Sequence, residues 1–241
     1  MEKAGEHWCR HGPGAVTWYQ RAVRLMGVCA LAVLGAGCAQ PTEPAPAPSS
    51  TTSGAGQINP ARIDRTRSEL PGGYEVAGYT AAPAPIVLWG FAEAAVSEPP
   101  QCAQLAVPAV DPATTRGWSA SGPGGIVHTV VARAHGPQVP GSTLLAECAQ
   151  WTVASGHTTG TVSTRPGPVI DAATTVAMST TATTRVEGGT QTRSRADTFI
   201  AYLDGHVCFV TLITDPGSPH PALGPGFAGD LLASATSALR G

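Results

Sequence analysis

Apolar positions follow three patterns along this chain, and each predicts a different kind of element. The first is unbroken: residues 25–36 run Leu-Met-Gly-Val-Cys-Ala-Leu-Ala-Val-Leu-Gly-Ala without a charge. At about a dozen residues the run is too short to span a bilayer as a helix, which takes roughly 20. The second pattern is helical. Pro60–Leu70 places Ile63 and Leu70 on one face behind an Asn59 cap and a first-turn proline, and Phe227–Leu239 lines up Leu231, Leu232, Ala235 and Leu239. Shorter helices are expected from Pro99-Pro100, carrying Cys102, Leu105 and Val107, and over Ser142–Gln150. The third pattern is strand-like: 74–79 alternates, 125–134 is apolar, a strand runs from Trp151 through Val153, and 172–186 is rich in Thr and β-branched residues. The sharpest local signal is Thr198–Leu203 and His206–Thr214 joined by Asp204-Gly205, a pair suited to a two-residue type I′ hairpin turn. Helices at both ends with antiparallel strands between them predict an α+β fold: a single domain whose antiparallel sheet packs with N-terminal and C-terminal helices.

Flanking residues change the meaning of the first run. Arg21 and Arg24 precede it and Gly37-Cys38 closes it, the layout of a secretory signal. Leu34-Gly35-Ala36-Gly37-Cys38 resembles the bacterial lipobox, although Gly35 stands where that pattern prefers Leu, Val or Ile. The resemblance implies a diacylglycerol on Cys38, a membrane partner through that lipid, and display on the outer face of the cytoplasmic membrane. A tract to about residue 57, rich in Pro, Ala, Ser and Thr, cannot bury a core and suits a tether. The expected organisation is therefore a signal peptide over 1–37, a tether over 38–57 and an extracytoplasmic domain over 58–241. Residues 1–24 form an unusually long, mixed leader, and Val23 or Leu25 could serve as an alternative bacterial initiator.

From Cys38 onward there are ten arginines, no lysine and fourteen acidic residues, a formal charge of −4. No basic stripe runs along the chain, so the phosphate attraction that dominates nucleic-acid binding is not expected. The cysteines in this region are 38, 102, 148 and 208. With Cys38 lipidated, at most one intramolecular disulfide can form, and three pairings are open. Cys102 with Cys148 is favoured because both lie near the ends of predicted elements, whereas Cys208 inside an apolar strand reads as a buried thiol.

Candidate chemistry is sparse. Gly117-Trp-Ser-Ala-Ser121 fails the Gly-x-Ser-x-Gly elbow at its last position, and no buried strand is predicted before it. His206 and Cys208 would share a strand face, but two ligands do not make a metal site. No P-loop is present, no catalytic residue is assigned, and no cofactor or metal is implied. Trp89, Trp118 and Trp151 could line a ligand cleft, with indole supplying apolar area and one donor. The Gly-rich segment Ser119–Gly125 and the Pro-rich segment Asp215–Gly226 are expected to be loops at a cleft's rim.

Ile58-Asn-Pro-Ala-Arg-Ile63, Pro99-Pro-Gln-Cys-Ala103, Glu147-Cys148, Asp204-Gly-His-Val-Cys208 and the terminal helix together resemble the uncharacterised domain family of mycobacterial lipoproteins. They are similar, more distantly, to the extracellular sensor domain of the kinase PknH. That sensor pattern is associated with two disulfides, which three domain cysteines cannot supply, so the nearer kinship is to the lipoproteins. The resemblance implies an actinobacterial envelope protein with an unidentified ligand. The expected function is a non-enzymatic binding or sensor-like domain. The alternatives are a carrier of lipid or another apolar envelope molecule, which needs a deep apolar cavity, and an enzyme with an unrecognised site, which needs convergent titratable groups.

Overall fold

The computed structural model describes residues 57–224 and 226–241; the expected signal peptide and nearly all of the tether, Cys38 included, lie outside them. Nine antiparallel strands form a single sheet: β1 (Glu75–Gly78), β2 (Val96–Glu98), β3 (Val110–Gly122), β4 (Gly125–Ala134), β5 (Gln150–Ser155), β6 (Thr158–Pro166), β7 (Thr174–Arg185), β8 (Gln191–Leu203) and β9 (His206–Thr214). Their order across the sheet is β1-β3-β4-β9-β8-β7-β6-β5-β2. The β8–β9 hairpin turns at Asp204-Gly205 as its sequence predicts, with Gly205 at φ +62°.

Alternation along the strands sends two sets of side chains to opposite faces. On one face, Val130, Met178, Ile200 and Phe209 pack under residues 84–107, including α1 (Pro85–Leu88) and the 3-10 helix Pro100–Leu105. α2 (Ser142–Glu147) adds Leu144 and Leu145 to that layer. On the other face, Val127, Val131, Ala177, Phe199 and Val210 pack under α3 (Phe227–Arg240) and the 3-10 helix Pro60–Glu69. The buried stripe Leu231, Leu232, Ala235 and Leu239 of α3 is the one expected from helical spacing.

Three sequence expectations change here. The first helix is a 3-10 helix: Asn59 caps it by accepting from the Ala61 amide at 3.1 Å, and the buried residues are Ile63 and Thr66, three apart, which a 3-10 turn places in line. Trp118 Nε1 ties this helix to the sheet by donating to the Ile63 carbonyl and to Thr66 Oγ1, both at 3.2 Å. Second, Ser119–Gly125 is not a soft loop. Strand β3 runs through Gly122, and only Pro123 and Gly124 turn the chain into β4. Third, β6 and most of β3 are strands that their polar composition had concealed. The fold is thus richer in β structure than expected, with α3 its one long α-helix among the described residues. No described helix is long and apolar enough to cross a membrane.

Candidate functional site

The three tryptophans do not form a cleft. Trp89 and Trp151 are buried on one face of the sheet with ring centroids 6.1 Å apart, while Trp118 is buried on the other. Each indole is satisfied internally. Trp89 Nε1 donates to Thr198 Oγ1 at 2.9 Å, which pairs with Thr211 Oγ1 at 2.9 Å, and Trp151 Nε1 donates to Thr164 Oγ1 at 3.3 Å. Burying large rings in a sheet core requires such partners, so these residues act in packing. A disulfide joins Cys102 to Cys148, the pairing the sequence favoured, and links the 3-10 helix Pro100–Leu105 to the end of α2. Cys208 is a buried free thiol, and burial pushes its pKa up to about 12. No group of three or more metal-binding side chains exists among the described residues.

The two predicted rims do come together. The β3–β4 turn and the segment after β9 enclose a cavity of about 370 Å³ lined by Gly122–Ile126, Asp215, Ser218, His220 and Ser194. Close backbone approach explains its glycines. A Cβ at Gly125, where φ is +128°, would stand 2.4 Å from the Ile213 carbonyl oxygen. One at Gly122 would stand 2.7 Å from the Tyr74 ring. The far rim is held by the Leu223 amide donating to the Gly124 carbonyl at 3.1 Å. Asp215 shapes the near rim by accepting from the Gly217 amide at 2.7 Å. Ile126, 43 % exposed, gives the cleft an apolar wall beside its cross-strand neighbour Ile213. A second cavity, about 360 Å³, opens at the opposite end of β4, between Gln57, Arg133, His206 and Arg240.

One polar group escaped sequence reasoning. His128 lies across from Ser119 on β3 and Thr211 on β9, edge-on to the Tyr79 ring at 6.0 Å. Its Nδ1 is buried without a hydrogen-bond partner, and burial lowers its pKa to about 4. Burial likewise raises Tyr79 to about 12. The sequence signal for this placement is position 128 within the apolar run of β4, where every other residue from Val130 shares its face.

The chain matches, over residues 59–240, the family described as Domain of unknown function (DUF5642). It belongs to the DUF5642 family. The match spans the described domain from the Asn59 cap to Arg240 in the last turn of α3. The DUF5642 domain also resembles, in fold, the X-ray structure of an uncharacterised protein from Mycobacterium smegmatis, an Rv0999 ortholog. TM-score is 0.55 at 21 % identity, covering 77 % of this chain and 98 % of that one. No curated protein matches the chain.

Proposed function

We propose that this DUF5642 protein is an envelope lipoprotein. It is exported, anchored through a diacylglycerol on Cys38, and displays a non-enzymatic ligand-binding or sensor-like domain outside the cytoplasmic membrane. The observation that carries this reading is the Cys102–Cys148 disulfide, which suits an oxidising, extracytoplasmic compartment. The lipobox-like Leu34–Cys38 and the Pro/Ser/Thr tract before the Asn59 cap add to it. The rimmed cavity at Gly122–Ile126 and Asp215–Ala222 is the binding cleft of this reading, with its ligand held by rim backbone groups against Ile126. The sensor-like kinship to the extracellular part of PknH belongs to the same proposal.

Intact mass and membrane fractionation test the anchor, using the full chain and its Cys38→Ala variant expressed in an actinobacterial host. A membrane-bound form that begins at Cys38, carries acyl mass and is lost in the variant supports the proposal. An unprocessed cytosolic chain overturns it. A soluble product cleaved near residue 38 overturns the anchor and leaves a secreted domain.

A further inference from the structure

The helices cover only part of the sheet. On the face carrying α3, the last covered row crosses β6, β7 and β8 at Arg165, Ala177 and Phe199. Phe199 is packed by Gly229 of α3, with the Arg165 guanidinium 5.7 Å from its ring. Beyond that row the same face continues as Ser163–Ser179–Asp197, Thr161–Thr181–Arg195 and Thr159–Thr183–Arg193, and Arg185 ends it on β7. Thr152 of β5 extends the middle row. On β6–β8 these rows contain no apolar side chain, and Thr159, Thr161, Thr181, Arg193 and Arg195 are exposed; toward the sheet's edge they continue through Thr152 to Glu98 and through Ala154 to the exposed Val96. Antiparallel pairing spaces the hydroxyls about 4.8 Å across the strands and about 7 Å along them.

The charge on this face runs against that of the chain. Fourteen acidic residues outweigh ten arginines from Cys38 onward, yet Arg165, Arg185, Arg193 and Arg195 share this face of β6–β8 with Asp197, and Glu98 of β2 adds a carboxylate at its edge. Asp197 is itself engaged: it accepts from Ser179 Oγ at 2.5 Å and pairs with Arg195 Nε at 3.2 Å. That pair fixes the Arg195 guanidinium over the sheet and leaves Arg193 uncompensated by any ion pair among the described residues. Apart from Ala154 and Val96 at the sheet's edge, an apolar partner helix or an inserting lipid surface would find little to bury here. A flat, hydrated grid of hydroxyls and guanidinium groups complements a partner rich in oxygens and acidic groups, repeated at a few ångströms.

We infer that this open face of β5–β8 binds an acidic polysaccharide, with Arg193 and Arg195 gripping its carboxylates and the threonine rows its hydroxyls. The inference deepens the envelope-binding reading by naming a ligand class, and rests on the domain's being displayed where such polymers occur.

The test is binding of the purified full chain, in mild detergent, to alginate (a linear polyuronate), with neutral dextran and anionic-lipid vesicles in parallel. The expected result is salt-sensitive alginate binding without dextran binding. Arg193→Gln/Arg195→Gln should weaken it by about tenfold, a change of about 1.4 kcal/mol. Thr161→Val/Thr181→Val keeps β-branching and charge, and should still weaken it several-fold. Arg62→Gln/Arg65→Gln, on the first 3-10 helix, should change nothing. Absence of alginate binding, binding to vesicles alone, or equal loss in the Arg62/Arg65 control overturns the inference. So does a Thr161/Thr181 variant that binds as the parent does. Alginate binding by a chain that fractionates as cytosolic overturns the envelope placement and leaves the surface standing, so the two failures are distinguishable.

Discussion

His128 makes the protein's stability depend on mildly acidic pH in a way that can be calculated. Its ring lies in the β3–β4–β9 part of the sheet against Tyr79, with Nδ1 buried and unpartnered. The neutral ring suits that environment and the charged ring does not, so its pKa falls from 6.5 to about 4. In the unfolded chain the imidazole protonates near its ordinary value, so below about pH 6.5 the unfolded state binds the extra proton. Stability from this group is therefore complete above about pH 6.5 and is lost as pH falls toward 4. A shift of that size corresponds to a ceiling of about 3 kcal/mol, and the ring's partial exposure brings the expected loss to about 2 kcal/mol. Tyr79, raised to about 12, does not titrate in this window. A differential assay isolates this group. Urea unfolding followed by tryptophan fluorescence should compare the parent with His128→Phe, which keeps the aromatic contact and cannot protonate. The stability gap should move in the variant's favour by about 2 kcal/mol between pH 7.5 and 4.0. A gap constant to within about 0.5 kcal/mol, the scatter of such extrapolations, would refute burial as the cause.

Other expectations follow from single contacts. Cys102→Ser/Cys148→Ser opens a loop closed over 46 residues, and the chain-entropy relation gives a loss of about 4 kcal/mol, read as a fall in urea midpoint. Thr198→Val strands the Trp89 indole N–H in the core and should cost about 1–3 kcal/mol, whereas the same change at exposed Thr181 should leave stability within about 0.5 kcal/mol. Leu232→Ala, at a fully buried position of α3, should lower stability by about 2–5 kcal/mol in the same assay. Gly125→Ala forces a side chain into the left-handed region against the Ile213 carbonyl. It should destabilise by at least about 1 kcal/mol and increase amide exchange at the Gly122–Ile126 rim.

What the sequence revealed depended on whether burial was two-sided. Strands β4, β8 and β9 sit mid-sheet under layers on both faces, so their apolar runs were readable, as was the Asp204-Gly205 turn. β7 was readable through its β-branched content. β6 was missed because only Thr158 and Val162 of its nine residues are buried, and its outward positions are Thr, Ser and Arg. β3 was missed for a related reason: Trp118 and Ala120 are its only buried residues, and Pro112 and the irregularity between Asp111 and Arg116 break any alternation. For the candidate site, glycine, proline and aspartate content pointed to the two segments that line the cavity, although the first is the end of β3 and a two-residue turn and not the loop expected. The tryptophans misled because indole content reports a large apolar group with a donor, and a buried threonine satisfies that donor as well as a ligand would.

The uncovered part of the sheet differs from an ordinary solvated face. A face that merely met water could use any mixture of Lys, Glu, Gln and Ser, and its charges would follow the acidic balance of the chain. Here the outward rows of β6 and β7 are almost uniformly threonine and serine, and on β6–β8 four arginines stand beside them against one carboxylate, Asp197. Threonine serves strand propensity, which accounts for its abundance on β7 without any ligand. Propensity does not account for the sign of the charge, nor for Arg193 and Arg195 falling in register with the threonine rows while Asp197 is occupied by Ser179 and Arg195. The arginines therefore carry the functional argument and the threonines the shape. That is why the paired variants, one removing charge and one removing only hydroxyls, separate a built surface from a solvated one.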